Sequence, residues 1–481
     1  MERVLTVEQM READRYSIET LKIEENELIE RAGLAVAEEI FLRFKGGRVL
    51  VCLGKGNNGK DGKVVARHLR LRHGFSVKIF SIKEKNFNVF DNKFDVVVDC
   101  LFGTGLNREL KDEDLLAVEK INKSNAYVVS CDIPSGLNGN NGKRYPKCVK
   151  ANLTIAIQDY KIGHFINDGI DHVGELIVKD IGISIWDERF LFKLEDKDVA
   201  PLFESRKRNV NKGNFGKVCI FGGSVNFTGS VLLSLNALTA LKTGVGYANL
   251  TVPKSLLKGY IGLNPECTLS PYKDIRGIVA FDKKALEKIC SYQTIALGMG
   301  MGNSKNVYKI IKFLLKNYNG NLLIDADGLN ALSKYGVEIL KNKKCNVILT
   351  PHVAEFSRLI NKNKSLIVCE QVSLAQKFAK NYGVTLVLKN AVSVITDGEE
   401  TYINTTGCSA LAKAGSGDVL SGVISGIVAR SGYSVKNVAS ASYVFGLAGE
   451  IACKEQSNEY TVTASDVINC LAKAVKKIKN N

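Results

Sequence analysis

The chain is expected to fold as two α/β domains, each built on a largely parallel sheet with helices on both faces. Three observations predict this. At 481 residues the chain is too long for one ordinary hydrophobic core. Short, almost wholly apolar runs alternate with segments of helical period, the pattern left by strands buried on both faces. The alternation stops between Ile183 and Arg208, where there is no clean period, a proline and a basic end, and then restarts. The boundary is therefore put near residue 195, giving domains 1–195 and 196–481.

The elements follow in order. Residues 6–44 carry apolar side chains at helical spacing (Leu21, Leu28, Ala32, Ala35, Val36), lack proline, and read as helix. RVLVCLG is the first strand, glycines follow, and KVVARHLRLRHG resumes a helical period. FSVKIFS, FDVVVDCLFG, NAYVVSCDIPSG and ANLTIAIQ read as strands, with DEDLLAVEKINKS as a helix between two of them. In the second half GKVCIFGGS is a strand and a long helix runs from Thr228 to Gly246. GNLLIDAD, CNVILTPH, VTLVLKN and SVITDGEETYIN are further strands.

Composition narrows the function classes. With 45% hydrophobic and 24% charged residues the chain is globular rather than disordered. No apolar run approaches the roughly 18 residues of a membrane helix, and the opening residues are charged throughout. A cytoplasmic protein without a membrane partner is expected. The formal charge of +16 invites a nucleic-acid reading, but the lysines are dispersed and no RNA-binding motif accompanies them. No nucleic-acid partner is expected; a mild pull on phosphate-bearing ligands suffices. Cys52, Cys100, Cys131 and Cys219 sit in strand-like runs with no CxxC spacing, and read as reduced, buried small hydrophobes.

In the first half, Gly54-Lys-Gly-Asn-Asn-Gly-Lys-Asp-Gly62 follows a strand and opens a helix, so its free NH groups suit an anion. As a dinucleotide fingerprint it lacks the acid that should end the next strand. As a P-loop it has Asp61 where a magnesium-binding Ser or Thr belongs. A nucleotide-contacting turn and a purely structural turn both remain open. Asp99 and Asp132 stand at the carboxyl ends of strands, the edge where open α/β sheets bind ligands. The alternative is that each caps the turn after it.

These motifs, with MREAD…ERAG at the start and VKDIGIS at the end, make residues 1–190 resemble the NAD(P)H-hydrate epimerase domain. The resemblance implies a Rossmann-like doubly wound sheet. It implies that Asn57, Asn58, Gly59, Lys60 and Asp61, with Gly103, Thr104, Gly105, Leu106, Asn107, Arg108 and Glu109, line a hydrate-binding groove. Asp132 would lie beside the substrate as a proton-transfer group, and a potassium ion would be held by Asn58, Asp99 and Ser135. Oxygen-only ligands suit so hard a cation. Lys60 departs from the small residue usual at that place, to bind a diphosphate or to face solvent.

In the second half, AGSGD (residues 414–418) directly precedes an apolar helix. Gly415 and Gly417 allow an anion close to the NH groups of the first turn. Asp418 then serves either as a helix-stabilising charge or as a base that frees a hydroxyl to attack phosphorus. The whole segment NTTGCSALAKAGSGD favours the base. This arrangement resembles the ribokinase-like superfamily, whose fold is an α/β/α sandwich. NKGNFGKVCIFGGS, IDADGLNAL, ILTPHVAEFSRL, VLKNAVSVI and NTTG narrow the resemblance to the ADP- or ATP-dependent NAD(P)H-hydrate dehydratases across residues 205–475. It implies that Lys389, Asn390, Ala391, Val392, Ser393 and Gly417 contact the nucleotide, while Ser230, Gly300, His352 and Asp418 face the hydrate.

Several loops depart from the family pattern: LTPHVAE for LTPHPGE, Lys389-Asn390-Ala391 for KGA, Gly298-Met299-Gly300 for GPG, and AGSGD for GGSGD. Together the two resemblances imply epimerisation of the R and S forms of NADHX and NADPHX. They also imply dehydration of (6S)-NAD(P)HX to NAD(P)H with ADP or ATP, releasing phosphate, and AMP if ADP is used. Magnesium and potassium would be cofactors, and a homo-oligomer is expected. An ordinary kinase of the same superfold and a non-catalytic interaction module are the rival readings.

Overall fold

The computed structural model describes residues 1–185, 191–240 and 243–480. The chain divides into two compact units, Glu2–Phe190 and Leu191–Asn481.

The N-terminal unit carries a six-stranded sheet in the order Phe75–Ser81, Gly47–Leu53, Val96–Cys100, Tyr127–Cys131, Leu153–Ile157, Glu175–Lys179. All its pairings are parallel. Alternation along the strands explains why both faces are covered. Val49, Val51, Val96 and Val98 join one apolar cluster with Leu28, Val36 and Ile40 of helix Glu25–Arg43 and Val65 and Leu69 of helix Asn57–Leu71. Leu50, Cys52 and Val97 point the other way, onto Ala117, Val118 and Ile121 of helix Glu113–Lys123. The sheet is doubly wound, with its switch of direction between strands Gly47–Leu53 and Val96–Cys100.

Two readings are corrected here. Residues 6–44 are not one helix but two, Val7–Glu19 and Glu25–Arg43. Thr6 opens the first with a capping box in which Gln9 NH donates to its hydroxyl at 3.1 Å. Strands Glu2–Leu5 and Glu175–Lys179 escaped the reading because they are short or only half-buried.

Within the C-terminal unit the strand order is Thr268–Tyr272, Tyr247–Pro253, Lys217–Phe221, Thr294–Leu297, Asn321–Ile324, Asn346–Leu349, Thr385–Leu388, Ser393–Thr396, Thr401–Asn404, Leu191–Lys193. The first seven run parallel, and two antiparallel pairings follow. Helices Thr228–Ala240, Ser416–Ser431, Val435–Gln456 and Ala464–Asn480 share one large core with Ala296, Leu323 and Ile348 of the strands. On the opposite face Gly328 of helix Ala326–Tyr335 lies directly against Ile324 and Leu297, so this sheet too is sandwiched.

SVITDGEETYIN, read as a single strand, is a hairpin of Ser393–Thr396 and Thr401–Asn404. Gly398, at φ 96°, turns the chain between them. The helix read from Thr228 to Gly246 is described only to Ala240. Leu241 and Lys242 lie outside the described residues, and Thr243–Gly246 are not helical. All twelve cysteines are free, and Cys52, Cys100, Cys131 and Cys219 are buried. Among the described residues no helix is long and apolar enough to cross a membrane.

Candidate active sites

At the switch point of the N-terminal sheet the turn after strand Gly47–Leu53 abuts the end of the next strand. A side chain at Gly54 would lie 1.6 Å from the carbonyl oxygen of Leu101, so only glycine fits. Helix Asn57–Leu71 starts from this turn, and a cavity of about 560 Å³ opens beside it. Asn57, Asn58, Asp61, Asp132 and all of Gly103–Arg108 line that cavity. Three expected groove residues do not. Gly59 packs on the backbone of Gly54. Lys60 pairs with Glu25 at 3.0 Å, both half-exposed. Glu109 is exposed, and its carbonyl accepts from Arg108 at 3.0 Å.

Asp132 takes a left-handed conformation (φ 65°) immediately after strand Tyr127–Cys131. Its Oδ1 accepts from the NH of Ile157 at 3.2 Å and pairs with Nζ of Lys161. Lys161 is 1% exposed and also donates to the Ile157 carbonyl at 2.7 Å. Beneath them Nδ1 of His164 accepts from Lys161 NH at 3.2 Å, and Nε2 donates to the Asp132 carbonyl at 2.9 Å. Burial lowers the His164 pKa to about 4, so the ring is neutral and its tautomer set. Asp61 is pushed up to about 8 by burial, then by the charges of Asp132 and Asp14, and keeps its proton at neutral pH.

Asp99 is fully buried and accepts four hydrogen bonds: from Leu101 NH (3.2 Å), Ser135 Oγ (2.5 Å), Ser130 Oγ (2.9 Å) and Ser135 NH (2.8 Å). Burial still holds its carboxyl above the usual range. In the same region the buried side chain of Asn58 has neither amide atom hydrogen-bonded. A buried carboxylate, an unpartnered amide oxygen and the Ser135 hydroxyl form an oxygen-only donor set that fits a hard monovalent cation. Among the described residues no cluster of three or more His, Cys, Asp or Glu is arranged to hold a metal ion, so a zinc-type centre has no ligands there.

In the C-terminal unit three neighbouring parallel strands end in Asp325, His352 and Lys389, each one to three residues past the strand. Helix Ser416–Ser431 begins opposite them, after Gly415 at φ 91°. Lys389 Nζ lies 3.2 Å from Asp325 Oδ1. Asp325 is otherwise satisfied by Ala326 NH (2.8 Å) and Ser421 Oγ (2.7 Å). A Cβ on Gly417 would stand 3.1 Å from the Lys389 ammonium, so the bare backbone keeps that space open. Asp418 is half-buried, and its pKa rises to about 7 through burial and the charge of Asp325, against Lys389 and a hydrogen bond from Ser230. Gly300 (φ 63°) packs against Phe227 and Ser230.

His352 caps helix Val353–Ile360. Its Nδ1 accepts from the NH groups of Ala354 (3.0 Å) and Glu355 (3.3 Å), leaving Nε2 as the proton carrier. Burial and Lys389 lower its pKa. Asn390 donates to Gln371 Oε1 at 3.1 Å, and Gln371 donates to the Val392 carbonyl at 3.0 Å. The residue that replaces glycine in this loop is thus tied to its own support. Ala391 is exposed and Ser393 half-buried.

The structure brings Ser230, Gly300, Gly417 and Asp418 together, with His352 and Lys389 at the facing strand ends. Sequence reasoning missed Asp14, Lys161 and His164 in the first unit, and Asp325 and Ser421 in the second. Asp325 ends an apolar strand as Asp99 and Asp132 do, so the same signal was available for it. Lys161 and His164 carried none, since Lys161 ends a strand of only two residues and His164 lies in the short turn after it.

Fold and sites together define a two-unit α/β enzyme with a ribokinase-like C-terminal unit. A family model described as NAD(P)H-hydrate dehydratase matches residues 218–473, and one described as YjeF-related protein N-terminus matches 25–92 and 81–163. A protein of Thermofilum pendens named bifunctional NAD(P)H-hydrate repair enzyme Nnr is 32% identical over 519 residues, covering 100% of this chain and 97% of its own. A Dictyoglomus turgidum protein of the same name is 30% identical, covering 92% and 91%. The chain belongs to the bifunctional NAD(P)H-hydrate repair enzymes. Among solved structures, a Bacillus subtilis ADP/ATP-dependent NAD(P)H-hydrate dehydratase co-crystallised with ATP and Mg²⁺ superposes with TM-score 0.51 at 22% identity, over 60% of this chain and 99% of that one. A ribokinase-like superfamily protein of Enterococcus faecalis matches with TM-score 0.51 at 21% identity, over 62% and 99%.

Proposed function

We propose that the chain carries both activities of its family, with the epimerase in residues 1–195 and the dehydratase in 196–481. The observation that carries the second assignment is the half-buried Asp418 at the mouth of helix Ser416–Ser431, next to the open backbone of Gly417. Hydroxide at C6 of the hydrated nicotinamide is a poor leaving group. Asp418 takes the proton of that hydroxyl as its oxygen attacks the terminal phosphorus of ADP or ATP. NH groups of the Gly415–Gly417 turn bind the phosphoryl as its bond to the departing nucleotide breaks (AMP from ADP, ADP from ATP), and loss of phosphate from C6 with a proton from C5 restores the ring. Lys389 to Ser393 and Gly417 hold the nucleotide, while Ser230, Gly300 and His352 face the hydrate. Bound with the nucleotide, magnesium supplies charge neutralisation on its phosphates.

In the N-terminal cavity Asp132, oriented by Lys161, is the proton-transfer group at C6, with Asn57, Asp61 and Gly103–Arg108 around the substrate. Asn58, Asp99 and Ser135 would hold potassium, which supplies a fixed positive charge under the floor of the site. Both Asp99 oxygens are occupied by protein donors, so the Ser135 hydroxyl must turn away from Asp99 to admit the ion.

Incubating the purified chain with both C6 epimers of NADPHX and ADP tests the reading. Reduced-nicotinamide absorbance should return for both epimers with one phosphate per turnover. A stable phosphorylated product without reduced nicotinamide would identify an ordinary kinase instead.

A further inference from the structure

We propose that Asp14 is a further catalytic residue of the N-terminal site, a carboxylic acid that exchanges a proton with the C6 oxygen of the hydrate; this rests on the epimerase reading. Helix Val7–Glu19 buries Val7, Met10, Ala13 and Ser17. Met10, Asp14 and Ile18 follow one another at intervals of four, so they share a helix face, and all three line the cavity. An aspartate in the middle of an apolar stripe is costly unless it is paired or protonated. Among the described residues no hydrogen bond or ion pair holds the Asp14 carboxyl, unlike Asp99 with its four donors.

What Asp14 does face is charge. Asp132, Asp61 and Lys161 line the same cavity, with Glu25, Asp114, Arg11, Lys55 and Arg108 also on its walls, and the charges that act on Asp14 are Asp132 and the Lys161 ammonium. That ammonium is already committed to Asp132 and the Ile157 carbonyl. Burial and the neighbouring Asp132 raise Asp14 to about 6, whereas Asp61 at about 8 stays protonated through the neutral range. Of the two, Asp14 gives up and regains its proton more readily, as an acid that must work in both directions requires.

The step balances without an oxidant or reductant. The Asp14 proton passes to the C6 hydroxyl, the C6–O bond breaks as water leaves, and the N1 lone pair forms C6=N1. Water then adds to the opposite face of C6, the C6–O bond re-forms, N1 recovers its lone pair, and the proton released by that water returns to Asp14. Asp132, paired with Lys161, relays the proton between that water and Asp14 and ends the cycle with its charge restored.

The test follows conversion of (6R)-NADPHX by the full-length chain, above the spontaneous rate. Asp14→Asn should lower kcat for epimerisation at least about 100-fold with KM within about threefold, and leave dehydration of the S epimer untouched. Asp14→Glu should recover part of the loss. Asp14→Leu completes the apolar stripe, so it should be as stable as the parent and equally inactive. Wild-type kcat in Asp14→Asn would overturn the inference, as would a raised KM with kcat preserved. A parent chain that does not epimerise would instead remove the underlying reading.

Discussion

The Lys389 ammonium lies 3.2 Å from the Asp325 carboxylate and 3.1 Å from where a Cβ on Gly417 would stand. Asp325 thereby fixes a positive charge at the mouth of helix Ser416–Ser431, and among the described residues no ion pair holds Asp418, two steps along the chain from Ser416. A carboxylate neutralised by an ammonium makes a weak base; one only partly offset, with a pKa near 7, makes a useful one.

This sets the pH dependence of dehydration. Asp418 must be ionised to take a proton, and its pKa is raised to about 7. Activity should therefore hold above that value and fall about tenfold for each unit below it. In stability the sign is opposite. A carboxyl whose pKa is raised by folding favours the folded state below its unfolded value, and the chain loses that contribution as pH rises through about 7. Steady-state rates between pH 5.5 and 9 check the first effect.

Gly417→Ala places a methyl 3.1 Å from Lys389 Nζ. Gly417 has ordinary helical backbone, so stability should change by less than about 0.5 kcal/mol. The ammonium must shift by a few tenths of an ångström, and the KM for ADP should rise up to about tenfold. Nucleotide titration against the parent chain measures it.

Lys161→Met removes the cation from a buried ion pair and leaves Asp132 with an uncompensated charge. Such breaks cost about 3 kcal/mol. A lower melting temperature and lost epimerisation, with dehydration of the S epimer retained, are expected from calorimetry and rate measurements.

Epimerisation should respond to potassium. The orphaned Asn58 amide gives the ion a reason to bind, and binding to the folded chain alone raises the melting temperature with concentration. Asn58→Leu should abolish that rise. A potassium-dependent shift that survives in the variant would move the site elsewhere.

Much of this was legible in the sequence. Strands such as VVVDC and KVCIF are buried on both faces, and their apolar runs said so directly. Gly54, Gly415 and Gly417 marked turns where backbone approaches something closely. Long-range pairing was not legible. Nothing near Asp132 predicts Lys161, 29 residues on, because the ion pair depends on how the chain returns to the sheet edge. Nothing in the sequence singled out Asp14 among the charges of its helix, and only the cavity distinguishes it from Glu8 or Glu12. The break at Thr20–Glu24 was hidden for a different reason: apolar spacing continued across it.

The most direct measurement gives ADP and an equal mixture of C6 epimers to the parent chain and to Asp418→Asn, following reduced-nicotinamide absorbance and the R/S ratio together. The parent should restore the reduced cofactor completely. The variant should restore none while still interconverting the epimers at the parental rate. Restoration by Asp418→Asn at the parental rate would contradict the role of Asp418, because the carboxylate at the helix mouth would then have no part in the chemistry.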